Sequence, residues 1–431
     1  MSTLYNLKKR IWFVFIAIII FRIGSFIPIP GVNIKVLEQF LVHKNSSLLT
    51  MFNMFSGGSL NRVSIFTLGV MPYISSSIII QLLTLIFSYL RNLKKEGDTG
   101  NKKINQYTKY LTVLLSIIQS ISVIIGLPFI PGMQNIFIFT DLYFYVIAVT
   151  SLVTGTVFLM WLGEFITEKG LGNGTSLIIF FGIVSTLPAS IIQTISVMHF
   201  NYLSFLHFFM ILLIMFTAIF IVVFIEKSQR KIIVYYARRQ QVQRMHAMHH
   251  SFLPLKINMA GVVPVIFSSS LILFASIITT YCRYMFNNFT FLIKIFDFFR
   301  FNRSIYVIIN IILIIFFSFF YTSIMFNVKD TAMNLKKSGA FLPGIRPGIR
   351  TEEYIKKIVL KLTTIGSIYT VFICLVPDIM REWLKVPFYF GGTSLLIVVV
   401  VLMEFIIQIQ TLMMSTQYKK ILKKANLYLR N

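Results

Sequence analysis

The chain has 431 residues, of which 56% are hydrophobic and 13% charged, at a mean hydropathy of +0.80. Those values exclude a soluble globular protein of this size and leave a polytopic membrane protein. The 40 Lys+Arg against 14 Asp+Glu give a formal charge of +26, which fits nucleic acid, anionic lipid or a set of basic cytoplasmic loops.

At the start, Lys8, Lys9 and Arg10 precede an apolar run from Ile11. That charge pattern suits a signal peptide, but the run contains Arg22 and has no small-residue cleavage site. It reads as a retained first helix with a cytoplasmic N-terminus. Next comes the stretch Leu48 to Leu83. Its short apolar piece, Leu48 to Phe55, is about half of what a membrane span needs. Gly57 and Gly58 then break it, Asn61 and Arg62 follow, and a long apolar segment carries Pro72 and the triplet Ser75, Ser76 and Ser77. Either this is irregular backbone lining a cavity, or it is a loop leading into an ordinary span.

Ten spans are predicted, at about 11–30, 64–90, 108–127, 142–163, 174–195, 204–225, 257–281, 304–326, 361–380 and 388–413. Ten crossings return the C-terminus to the cytoplasm. Thirty of the Lys and Arg residues fall on the side assigned to the cytoplasm, nine on the other, and Arg22 within a span. The positive-inside bias therefore supports this orientation. Two cytoplasmic loops, 226–256 and 327–361, are long and basic. In the first, Ile232 to Tyr236 (IIVYY) suits a short strand or hairpin. In the second, PGIRPG forces a turn that projects Arg346. Loops of this kind are either solvated faces or docking surfaces, ribosomal RNA among their targets. Five spans on each side of residue 200 permit an N-terminal half at 1–200 and a C-terminal half at 201–414, followed by a basic tail at 415–431.

No catalytic constellation emerges. Ser176 and Ser394 sit in glycine-rich turns, yet no span carries a His to act as base. His246, His249 and His250 have ligand-like spacing, but Arg238, Arg239 and Arg244 beside them disfavour a cation. Cys282 and Cys374 have no metal or redox spacing, and no cofactor motif is present. Arg22, read as mid-span, and Glu404, near the cytoplasmic end of the last helix, are either functional or snorkelling charges. The transfer path is left to apolar and small polar groups: Val70, Ile74, Ile179, Ile266 and Ile397 are either helix core or a hydrophobic constriction. On the residues alone an ion-coupled secondary transporter for a small solute and a scaffold without transport remain open beside a channel.

Six stretches carry a resemblance: FRIGSFIPIPG at 21–31, MFNMFSGGSLNRVSIFTLGVMPYIS at 51–75, SLVTGTVFLMWLGEFITEKGLGNG at 151–174, LPLKINMAGVVP at 253–264, NLKKSGAFLPGIRPG at 334–348 and VPFYFGGTSLLIVVVV at 386–401. In these, in order and from end to end, the chain resembles the SecY family, the large pore-forming subunits of bacterial protein translocases. The resemblance implies an all-α polytopic membrane protein with ten transmembrane helices in two pseudo-symmetric five-helix halves around an hourglass pore. It implies no covalent chemistry and no cofactor. A plug half-helix would cover about 48–62, with Phe52, Phe55, Gly57, Gly58 and Arg62 in the plug and its hinge. The pore ring would fall on Val70, Ile74, Thr175, Ile179, Ile266 and Ile397. Thr175 departs from the bulky apolar residue usual there, and its hydroxyl is expected to make the ring wetter. Ser75 and Gln119 would belong to the lateral gate. Arg239, Arg244 and Arg346 would serve docking of the SecA motor and the ribosome. Further implied partners are SecE, which would clamp the halves, SecG, unfolded preproteins with signal sequences, and membrane lipid. The implied location is the bacterial cytoplasmic (inner) membrane.

Overall fold

The fold is that of a computed structural model, described for residues 2–33, 53–54, 56–129, 136–139, 141–199, 205–236, 250–272, 275, 303–384 and 391–428. Its helices are α1 (Ser2–Phe26), α2 (Met71–Ile86), α3 (Ser88–Lys95), α4 (Asp98–Gly126), α5 (Leu142–Lys169), α6 (Gly174–His199) and α7 (Phe205–Lys227). After strands β1 (Gln229–Tyr236) and β2 (His250–Lys256) come α8 (Val263–Ile272) and α9 (Arg303–Met325). The chain ends with α10 (Val328–Lys337), β3 (Ala340–Phe341), α11 (Ile349–Leu384) and α12 (Gly392–Tyr428). Each of the ten predicted spans overlaps a helix, 64–90 being divided between α2 and α3 and 257–281 being described as helix over Val263–Ile272. Among the described residues, six helices are long and apolar enough to cross a membrane, and the α2–α3 pair makes a seventh if counted as one span.

Hydrophobic spacing explains the packing. On α5 the buried positions are Phe144, Ala148, Leu152, Gly155, Leu159, Leu162 and Ile166, three or four apart, which makes one continuous face. That helix packs on α1, α2, α4 and α6, and α4 also packs on α2. Further along, α9 packs on α11, α11 on α12 and α7, and α12 on α7. The pairs α6–α12 and α1–α12 join the two sets.

The structure departs from the predicted spans at several places. The predicted span 64–90 starts only at Met71, with Pro72 in the first turn where its missing N–H costs nothing. It then bends by 100° at Phe87 into α3. The predicted loops are more helical than expected. Residues 98–109 extend α4, 349–361 extend α11, and the predicted tail continues α12 to Tyr428. Helix α10 is started by Asn327, whose side-chain oxygen accepts from the Asp330 N–H at 3.3 Å.

The two long basic loops meet in one sheet of order β2-β1-β3. Strand β1 runs antiparallel to both neighbours, pairing Gln229 with Lys256, Tyr235 with His250, and Tyr236 with Ala340. Within it Ile232 and Val234 are buried while Ile233 is exposed, the alternation of a strand with one covered face. Pro254 is tolerated because β2 is the edge strand. Ile232, Val234, Leu255, Ala340, Leu342, Ile355 and Val359 form a small apolar core distinct from that of the helix bundle.

Candidate functional site

Val70 stands at the N-cap of α2 and Ile74 one turn later. Ile179 lies on α6, Ile266 on α8 and Ile397 on α12. All five are at most 8% exposed and belong to one continuous buried apolar cluster. Four helices thus contribute these residues to the main apolar core of the bundle. Thr175 is half-buried in the first turn of α6, where Asn173 caps the helix by accepting from the Thr175 N–H at 3.2 Å. The Thr175 hydroxyl donates to the same oxygen at 2.8 Å, and its methyl would lie 3.2 Å from a Cβ placed on Gly163 of α5. The hydroxyl expected to wet the ring is therefore already committed to the helix cap.

Polar pairs line the helices next to that cluster. Ser76 Oγ and Thr112 Oγ1 are 2.6 Å apart between α2 and α4. Ser268 Oγ donates to Asn310 Oδ1 at 2.6 Å between α8 and α9. Between these two pairs of helices, Ser270 Oγ of α8 reaches Met71 Sδ of α2 at 3.4 Å. The predicted gate residues lie on the first pair, Ser75 half-buried on α2 and Gln119 buried on α4. Sequence reasoning singled out the triplet at Ser75–Ser77 but missed Thr112, Asn310 and the second triplet at Ser268–Ser270. That second triplet was the available signal.

The stretch before α2 is an irregular knot. Gly57 and Gly58 take φ of +70° and +82°, and Val63 takes +42°. Ser56, Ser59, Ser64 and Thr67 are buried, and the hydroxyls of Ser56, Ser59 and Thr67 turn back to local backbone, as with Ser59 Oγ to Phe66 O at 2.9 Å and Thr67 Oγ1 to Ser64 O at 2.6 Å. Those bonds hold the backbone out of helical form, which explains the late start of α2. Leu60–Arg62 form a short 3-10 turn. Phe66 stacks between Phe21 of α1 and Phe158 of α5, at centroid distances of 6.1 and 5.9 Å. Of the plug residues inferred from sequence, Phe52 and Phe55 lie outside the described residues, as do 48–51.

Arg22 is not mid-span. It sits in the last turns of α1 and donates from Nη1 to the Gly57 carbonyl at 3.1 Å. Its guanidinium also lies 4.7 Å from the centre of the Phe26 ring, and that of Arg62 lies 4.1 Å from the same ring.

At the sheet-bearing end, Arg346 is exposed on a turn anchored by buried Leu342, with Ile345 N bonded to Leu342 O at 3.1 Å and Thr351 Oγ1 bonded to Arg346 O at 3.1 Å. The guanidinium is thus presented on a held backbone. Arg239, Arg244, His246 and His249 lie outside the described residues.

Comparison with solved structures shows which folds this one is similar to. A structure of a protein-conducting channel matches with a TM-score of 0.66 at 14% identity, covering 95% of this chain and 93% of that one. Sec61 in a canine ribosome–channel complex matches with a TM-score of 0.63 at 14% identity and the same coverages. In sequence, the chain is 57% identical to the protein translocase subunit SecY of Buchnera aphidicola from Acyrthosiphon pisum over 99% of its length and 97% of the relative's. It is 54% identical to that of Escherichia coli K12 over 98% of this chain and 95% of the relative's. The SecY family profile spans residues 64–406, from the knot before α2 to the last helix, and the chain belongs to the SecY family.

Proposed function

We propose that this chain is the pore-forming subunit of a bacterial protein translocase, moving unfolded preproteins across the inner membrane and releasing apolar segments sideways into lipid. The observation that carries the reading is the joint burial of Val70, Ile74, Ile179, Ile266 and Ile397, drawn from four helices into one apolar cluster. Such a collar yields to an extended chain yet excludes water and ions when closed. Helices α1–α6 and α7–α12 act as two halves. The seam crossed by Ser270 and Met71 is the lateral exit, flanked by Ser75 and Gln119. Gly57 and Gly58 serve the plug.

Both termini and the sheet-bearing end lie in the cytoplasm, in keeping with the charge bias of the loops. There Arg346, with Arg239 and Arg244, engages the SecA motor or the ribosome; ribosome-bound channels among the structural relatives favour the second partner. SecE and SecG complete the complex, and the energy comes from the motor, the ribosome and the proton-motive force rather than from chemistry in this chain. A photoreactive residue at Ile74 or Ile266 is expected to capture a stalled secretory chain. Capture of none, together with tight binding of a small solute, would overturn the reading.

A further inference from the structure

The knot from Asn53 to Thr67 has two different kinds of attachment. Its later part is tied to the chain that follows α1: Ile29 N donates to Val63 O at 3.0 Å, Ile65 N to Ile27 O at 3.1 Å, and Pro28 and Ser64 form a β-bridge. Phe66 is locked at Gly24, where an added Cβ would fall 2.0 Å from the ring. The earlier part has no such strand-like tie among the described residues. Within the knot it is tied to the later part by Asn53 Oδ1, which accepts from Asn61 N at 3.2 Å. Beyond the knot its polar attachment is the Gly57 carbonyl, which accepts from Arg22 Nη1 at 3.1 Å and is approached by Ser185 Oγ of α6 at 3.4 Å. A hydroxyl has one proton, and that of Ser185 lies closer to Gly182 O, at 2.7 Å. Arg22 is therefore the principal donor. Gly57 can take this place because it has no side chain. At φ +70°, a Cβ there would lie 3.1 Å from Phe21 Cζ and 3.2 Å from Gly182 Cα.

We propose that Arg22 is the positioning residue that latches the plug, with the hinge between Gly57 and Ser59 and with Leu60 to Thr67 part of the fixed frame. The proposal rests on the plug reading above and narrows it, since the sequence carried the plug through Arg62. The latch is also self-restoring. When Gly57 leaves, the Arg22 guanidinium loses its acceptor while Arg62 still shares the Phe26 ring, and the described residues offer Arg22 no carboxylate. A half-buried cation held beside a second one favours recapture of the carbonyl.

The test uses the full chain, assembled with its partner subunits in proteoliposomes, with Cys282 and Cys374 replaced by Ala and a single reporter cysteine added. Met54→Cys reports the plug and Leu60→Cys the frame; both native side chains are buried, at 7% and 3% exposure. A membrane-impermeant maleimide is added from the plug side. Arg22→Gln is expected to speed labelling at position 54 by about tenfold, the worth of one charge-assisted hydrogen bond. Arg22→Lys keeps the charge and gives a smaller increase, and Arg62→Gln gives none. Position 60 stays protected throughout. Unchanged labelling at 54 in both Arg22 variants overturns the latch, and parallel labelling at 60 overturns the hinge. Translocation of a preprotein by the unsubstituted complex is scored in the same vesicles. Its failure would count against the channel reading itself, separately from the latch.

Discussion

Ser76 Oγ and Thr112 Oγ1 face each other at 2.6 Å while each also lies within bonding distance of its own helix, Ser76 of Tyr73 O at 2.8 Å and Thr112 of Thr108 O at 2.7 Å. Two hydroxyls supply two protons for three short contacts, so the link between α2 and α4 alternates with the back-bonds. Ser76→Ala leaves Thr112 satisfied by Thr108 and is expected to cost only about 1 kcal/mol. A double-mutant cycle with Thr112→Val, read by thermal denaturation of the purified complex, should give a coupling of about 0.5–1 kcal/mol. A coupling of zero would remove the pair as a link.

Thr175→Ile tests where the ring ends. Because the Thr175 hydroxyl is held by Asn173, the substitution is expected to leave resting ion conductance in planar bilayers unchanged and to lower thermal stability by about 1 kcal/mol through the weakened helix start. A clear fall in conductance would show that the Thr175 hydroxyl wets the ring.

Gly155→Ala addresses the contact of α5 with the knot. A Cβ there would fall 2.1 Å from Ile65 O, and backbone on both sides resists the shift. Overpacking of this kind is expected to cost about 1–3 kcal/mol, seen as a lower melting temperature and reduced yield of folded complex. Full stability would mean that α5 and the knot separate readily.

Arg346→Glu places a negative charge on an exposed turn whose anchors, Leu342 and Ile345, are untouched. Folding and subunit assembly are therefore expected to be normal while motor-driven import of a preprotein into vesicles is lost. Retained import would remove Arg346 from the docking surface.

Much of this fold was legible because lipid forces regularity: long apolar runs must become helices, and six helices among the described residues are long and apolar enough to cross a membrane, a seventh if the bent pair is one span. Ile232 to Tyr236 gave a strand for a related reason, since β-branched residues facing one way suit a covered sheet. The bend at Phe87 was hidden because the apolar run passes smoothly through it, and only the basic Arg91, Lys94 and Lys95 mark the change of surroundings. The place of Arg22 was misread because hydropathy does not show that α1 ends at Phe26, four residues on. The knot at Ser56–Thr67 was legible as a break but not as a shape, since its form depends on which carbonyl each hydroxyl finds. Val70, Ile74 and Ile397 are unremarkable aliphatic residues in sequence, and only the packing of distant helices brings them together.

The pairing of Tyr236 with Ala340 makes the two basic loops a single mechanical part. Strand β1 continues from α7, β2 runs on toward α8, and β3 lies between α10 and α11. The sheet therefore gathers the chain entering or leaving these four helices into one backbone-bonded surface, on which the Arg346 turn follows directly after β3.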